Sequence, residues 1–232
     1  MQPAFVVLAI SAVLVALPAQ PQTKSPTREP NRMTLTVERA EQSVWRPVDP
    51  SLIFSVNDRI RFRFSTNFDG YLYVMNRSTS GRYELLFPRE DTGERNRVEA
   101  GKEYVVPAIQ GWFRVTGPAG HDVLYWVMSP LNLSGGAPVY RPLPPPPPPG
   151  AAPPAMTPRC DDKIFTARGD CVDSSAGPKQ VTADEQLPQN LRGLPGVGSR
   201  ELIFMQEHNQ LVVSSPAPLM GPAVYEFQLS HR

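Results

Sequence analysis

Between residues 33 and 133 the apolar positions recur every second residue in short runs. Arg59–Phe64 alternates strictly, with Arg59, Arg61 and Arg63 on one side and Ile60, Phe62 and Phe64 on the other. Large apolar residues at period two mark a half-buried strand. Further runs fall at Met33–Arg39, Ser51–Val56, Tyr71–Met75, Tyr83–Phe87, Glu103–Pro107 and Trp112–Val115. Val123–Met128 is apolar without alternation, the pattern of a central strand covered on both faces. Asp69-Gly70 and Ser80-Gly81 are turn signals, and Asp69-Gly70 predicts a tight hairpin in which Gly70 supplies a positive φ. The charged stretch Arg89–Asn96 predicts an exposed loop. No window in this block carries a helical period.

The two-residue rhythm returns near the end. Glu201–Met205 and Gln210–Ser214 flank Glu207-His208-Asn209, which reads as a hairpin turn. Ala223–Ser230 sets Tyr225, Phe227 and Leu229 against Glu226, Gln228 and Ser230. Three strands alone make a marginal sheet, so they are expected to pair with the first block. The fold class predicted is all-β: an immunoglobulin-like or jelly-roll-type antiparallel β-sandwich. A proline-rich excursion interrupts it, and a short helix is expected over Asp161–Arg168.

Composition refines this picture at a few points. Proline is the outlier, at 28 of 232 residues, with an unbroken run from Pro144 to Pro149. Residues 142–158 therefore read as a polyproline II spacer, with docking to an aromatic groove as the lesser alternative. Residues 1–19 read as a signal peptide, with the apolar run Ala4–Leu17 too short for a membrane span. No Lys or Arg precedes that run, so an uncleaved N-terminal anchor is the alternative. Residues 20–32 form a polar N-terminus, 33–141 the sandwich, 159–198 a loop-rich segment and 199–232 the strands that complete the sandwich. Cys160 and Cys171 are expected to form a disulfide in an oxidising compartment, periplasmic or extracellular. The net charge of +1, from 23 basic and 22 acidic side chains, provides no field to draw in nucleic acid.

Five pieces, in order and spacing, resemble the bacterial family DUF4384, a domain of unknown function. They are Val56-Asn57-Asp58-Arg59-Ile60-Arg61, Asn67-Phe68-Asp69-Gly70-Tyr71-Leu72-Tyr73-Val74, Leu85-Leu86-Phe87-Pro88, Val98-Glu99-Ala100-Gly101-Lys102 with Val106-Pro107, and Gly117-Pro118 with Gly120. Asn57 stands where that family often has Gly. The tail, with Arg159-Cys160-Asp161-Asp162 and Gly221–Phe227, resembles an extension of some exported members. The resemblance implies an envelope or secreted location, sometimes beside kinase-like or protease-like domains. It implies no reaction and supplies no catalytic residue. The pieces also have a structural reading, in which Asp58 caps a turn and Pro88 ends an edge strand.

Candidate chemistry is thin. His121, His208 and His231 sit on predicted turns or at the chain end and are expected to be solvated. No nucleophile motif, phosphate loop or zinc-like spacing is present, and no metal or other cofactor is expected. Glu90, Asp91, Glu94, Asp161 and Asp162 are the only carboxylates with a claim to envelope-polymer hydrolysis. Arg168-Gly169-Asp170 spells an adhesion tripeptide that chance explains. The arginine stripe is expected to be a solvated face. Tyr71, Tyr73 and Trp126, with Trp112 and Tyr125 nearby, are candidates for a sugar- or peptide-stacking surface. The leading expectation is a non-enzymatic exported interaction or scaffold module whose partner is another envelope protein or polymer. Glycan or small-ligand binding, and hydrolysis, are the alternatives.

Overall fold

The computed structural model describes residues 29–109, 111–133, 157–161, 170–181, 187–188, 191, 202–215, 219 and 221–232. The expected signal peptide, the proline run and residues 162–168 of the expected helix lie outside the described residues. No helix is present among the described residues, and none there is long and apolar enough to cross a membrane.

The chain forms two antiparallel sheets packed as a sandwich. The first contains β1 (Asn31–Glu41), β2 (Val44–Val48), β3 (Arg59–Thr66), β7 (Glu103–Val106), β8 (Phe113–Arg114), β11 (Ile203–Glu207) and β12 (Gln210–Ser215). Its order is β11-β12-β1-β3-β7, with β2 also on β1 and β8 also on β3. The second contains β4 (Gly70–Arg77), β5 (Tyr83–Phe87), β6 (Arg97–Val98), β9 (Gly120–Ser129), β10 (Gly177–Gln180) and β13 (Ala223–His231). Its order is β10-β13-β9-β4-β5, with β6 also on β4. The C-terminal strands thus enter both sheets: β12 pairs with β1, and β13 with β9.

Strand parity sets the core. Met33, Leu35 and Val37 of β1 and Ile60, Phe62 and Phe64 of β3 face Leu72, Val74, Leu124, Trp126, Tyr225 and Phe227 of the other sheet. Trp126 is the hub, stacked on Phe64 and Tyr225 and edge-on to Phe62, with centroids 5.8, 6.4 and 5.3 Å away. A second cluster lies on the outer face of the six-stranded sheet. There Tyr73, Met75, Tyr125 and Val127 are covered by Leu133, Val181, Leu187 and Leu191. This cover makes β9 apolar on both faces, as its unbroken run predicts.

Several expectations are corrected. Asp69-Gly70 does not form a hairpin, because β3 and β4 belong to different sheets. Gly70 has no positive φ. It is glycine for room, since a Cβ there would lie 2.6 Å from Met128 Cε and 2.7 Å from the Ser129 carbonyl oxygen. Ser51–Val56 is not a ladder strand but a connector, buried at Leu52, Ile53 and Phe54, with isolated bridges from Leu52 to Val172 and Phe54 to His231. The 89–96 loop is exposed at Arg89, Glu90, Glu94 and Arg95, as expected, but it is anchored by Thr92 and Asn96, which are buried and donate to the carbonyls of Leu86 and Leu72. The Ser80-Gly81 and His208-Asn209 turns do close hairpins, β4–β5 and β11–β12.

Candidate functional site

The outer face of the seven-stranded sheet carries Arg59, Arg61 and Arg63. Arg59 is exposed, as expected, but Arg61 and Arg63 are part-buried and paired rather than solvated. Glu38 lies opposite Arg61 across the β1–β3 ladder and is 3% exposed. It accepts from Arg61 Nε at 2.5 Å, and from Arg63 Nε at 3.0 Å and Nη2 at 2.9 Å. Arg63 also donates to Glu103. The Glu103 and Glu38 carboxylates together hold the Arg63 guanidinium above its ordinary pKa.

Two tryptophans complete this face. The Arg61 guanidinium sits 4.4 Å from the Trp45 ring centroid, and that of Arg59 sits 5.6 Å from Trp112. Trp45 is presented by a two-residue hairpin in which Gln42 and Ser43 adopt φ of 47° and 71°, a twist that suits β1 and β2. Between the two indoles lies a hollow of about 220 Å3, also lined by Ala40 and Gly111, with no acidic residue among the described residues of its walls. Arg61 is neutralised by Glu38. Arg59 is exposed and has no ion pair among the described residues. The hollow therefore combines apolar ring surface with an uncompensated cation, Arg59, held over an aromatic plane.

The aromatic trio expected from the sequence is not a surface. Trp126 is 1% exposed at the centre of the sandwich. Tyr73 is 1% exposed on the opposite side of the same sheet, donating to Asn132 Oδ1 at 2.8 Å and accepting from the Leu133 amide at 2.6 Å. Tyr71 is half-buried against the same outer cluster. Tyr125 on that face is fully buried too, because post-linker residues cover it, and burial raises its phenol pKa. Of the aromatics singled out, only Trp112 is exposed, at 38%. Trp45, the missed partner, has a period-two neighbourhood broken by Pro47 and gives little signal.

His208 is exposed in its hairpin, as expected, but the other two histidines correct the expectation of solvated rings. His121 Nε2 lies 3.0 Å from Asp173 Oδ2, which also receives the Arg159 amide. Burial pushes the Asp173 pKa up, but hydrogen bonds from Ser175, His121 and Arg159 outweigh it, and the net shift is downward. His231 is fully buried. Its Nε2 lies 3.1 Å from Thr79 Oγ1 and 3.4 Å from Asp122 Oδ1. A hydrolytic relay places the nucleophile on one ring nitrogen and the acid on the other. Here both meet Nε2, and Nδ1 is buried without a partner among the described residues. Asp122 Oδ1 meanwhile accepts from the Thr79 amide at 2.7 Å, as a cap on the β4–β5 turn.

The carboxylates offered for hydrolysis are dispersed. Arg89 donates to both oxygens of Asp91 at 2.5 Å, and that contact lowers the Asp91 pKa. Glu90 and Glu94 are exposed. Asp161 accepts from the Ser174 amide and hydroxyl, and Asp162 lies outside the described residues. Cys160 and Cys171 form a disulfide with Cα atoms 5.1 Å apart. Asp170 pairs with Arg39 at 3.4 Å, and the other two residues of the tripeptide lie outside the described set.

The sequence punctuation now has a structural account. Asn57 adopts φ of 76°, and Asp58 Oδ2 accepts from the Ser55 amide at 2.9 Å, closing the turn into β3. Pro88 follows β5 at the sheet edge. Residues 53–131 match the family DUF4384, a domain of unknown function. No curated protein and no solved structure matches the chain. The DUF4384 segment spans β3 to β9, so it contains Arg59, Arg61 and Trp112. Trp45 and Glu38 lie outside it, on the β1–β2 hairpin.

Proposed function

We propose that this protein is a non-enzymatic, exported module of the bacterial envelope that docks an acidic envelope polymer on its Trp45–Arg61–Arg59–Trp112 face. The face itself carries this reading: two indoles, a hollow without acids and an unpaired arginine suit a ligand with apolar rims and anionic groups. The Cys160–Cys171 pair supports an oxidising location. His121, His231, Asp91 and Asp161 are engaged in structural bonds, which supports a binding role over turnover.

The test is co-sedimentation of the purified protein with acidic and neutral polysaccharide fractions of the envelope. Acidic fractions should retain it, with retention falling as salt rises. Arg59→Gln and Trp112→Ala should each weaken retention about tenfold while leaving the melting temperature near that of the wild type. Equal retention on neutral fractions would refute the charge complementarity. Hydrolysis of any fraction that is abolished by Thr79→Ala would refute the non-enzymatic reading.

A further inference from the structure

A second concavity opens at one end of the sandwich, where the sheets part. Ile60, Phe62 and Phe113 line it from one sheet, and Asn76, Leu124 and Leu229 from the other. Its volume is about 400 Å3, within the range of small-ligand sites. It shares no aromatic or arginine with the tryptophan face.

The decisive group is Asn76. The inner row of β4 reads Leu72, Val74, Asn76, so an amide occupies the position where a third aliphatic residue would finish the core. Asn76 is 8% exposed, and its Oδ1 is buried with no hydrogen-bond partner among the described residues. An unmatched buried carbonyl is costly to keep unless something else supplies the donor. The charges around it are unevenly spent. Arg82 pairs with Glu84 at 3.0 Å, Arg89 is taken by Asp91, and Asp122 by Thr79. Arg114 has only a 3.4 Å contact to Asn57 Oδ1 and no ion pair among the described residues. The unspent charge is therefore positive, beside an apolar floor and an unmatched amide.

We propose that this cleft binds a small amphipathic carboxylate that carries an amide: an N-acylated amino acid with an apolar side chain, or the same group at the C-terminus of a peptide. The carboxylate pairs with Arg114. The ligand's amide N–H donates to Asn76 Oδ1, and the apolar side chain rests on Phe62 and Leu124.

The 15N-labelled full chain is titrated with N-acetyl-leucine, with its primary amide, and with a leucine-terminated tetrapeptide in acid and amidated forms. Chemical-shift changes are expected at Asn76, Phe113, Arg114 and Leu124, with the acids binding at least tenfold more tightly than their amides. Arg114→Gln should weaken binding about tenfold. Asn76→Leu should weaken it similarly while raising the melting temperature, since it removes an unmatched polar group from the core. A tetrapeptide preferred over N-acetyl-leucine would point to a protein C-terminus, and the reverse to a small metabolite. No shifts at the cleft at millimolar ligand, equal binding of acids and amides, or wild-type affinity in Asn76→Leu would each overturn the proposal. Trp112→Ala should leave this titration unchanged, so failure here is separable from failure of the docking face.

Discussion

Glu38 faces Arg61 across the β1–β3 ladder with Nε–Oε2 at 2.5 Å, although Glu38 is almost wholly buried beneath a sheet face that otherwise presents arginines. One carboxylate serves two guanidiniums and fixes the one that stacks on Trp45. Glu38→Gln leaves Arg61 and Arg63 part-buried without that counter-charge. It should destabilise the fold by about 3 kcal/mol, measured by urea unfolding. Arg61→Lys keeps the charge but not the planar stack and should cost less. It should nevertheless shift the tryptophan near-UV circular dichroism.

The two glycines that frame the DUF4384 pieces should respond differently. Gly70→Ala places a methyl within 2.7 Å of a backbone oxygen, so β4 or β9 must move, at a cost of about 2–3 kcal/mol. Gly101 has φ of 76° and open space where its Cβ would be. Gly101→Ala carries only the left-handed backbone strain, about 1 kcal/mol. Denaturation midpoints should rank wild type, Gly101→Ala, Gly70→Ala in falling order, with unchanged m-values.

Cys160 and Cys171 are separated by 11 residues. Closing a loop of that length limits the unfolded chain by roughly 3 kcal/mol in the loop-entropy treatment. The double change Cys160→Ser with Cys171→Ser should therefore lower stability by up to that amount. Hydrogen-exchange protection should fall first at Ile53 and Asp173, whose amides bond to the Cys171 and Ser51 carbonyls in the same segment.

Asp173 gives the molecule an acid-sensitive point. Its folded pKa lies below the ordinary aspartate value, so its ionised form is favoured by folding. That stability is fully present above about pH 4 and is lost as the pH falls through the folded pKa. Urea midpoints between pH 2 and 6 should decline on acidification in the wild type. Asp173→Asn should start lower at pH 6 and decline less steeply.

The sequence makes some of this plain and hides the rest, for physical reasons. Arg59–Phe64 and Ala223–Ser230 are legible because one face of each is buried and the other is not. The both-faced burial of β9 is legible from its unbroken apolar run. β10 is hidden because it begins Gly177-Pro178, poor strand formers tolerated at a sheet edge. The layer over Tyr73 and Tyr125 is hidden because Val181, Leu187 and Leu191 are isolated apolar residues without period. That layer buries Tyr73 and half-buries Tyr71, while Trp126 is buried on the other face of the same sheet, so the exposed ring is Trp112, with Trp45 half-buried beside it. The burial of His231 depends on the register of β13 against β9, which no local pattern reveals.

β13 lies between β9 and β10, so residues 223–231 form an interior rib of the six-stranded sheet. Taking that rib away opens one flank of β9 and leaves β10 with no partner among the described strands, because β10 bonds to β13 alone. Residues 53–131, the part that matches DUF4384, therefore share their sheet with a strand that lies well beyond them in sequence.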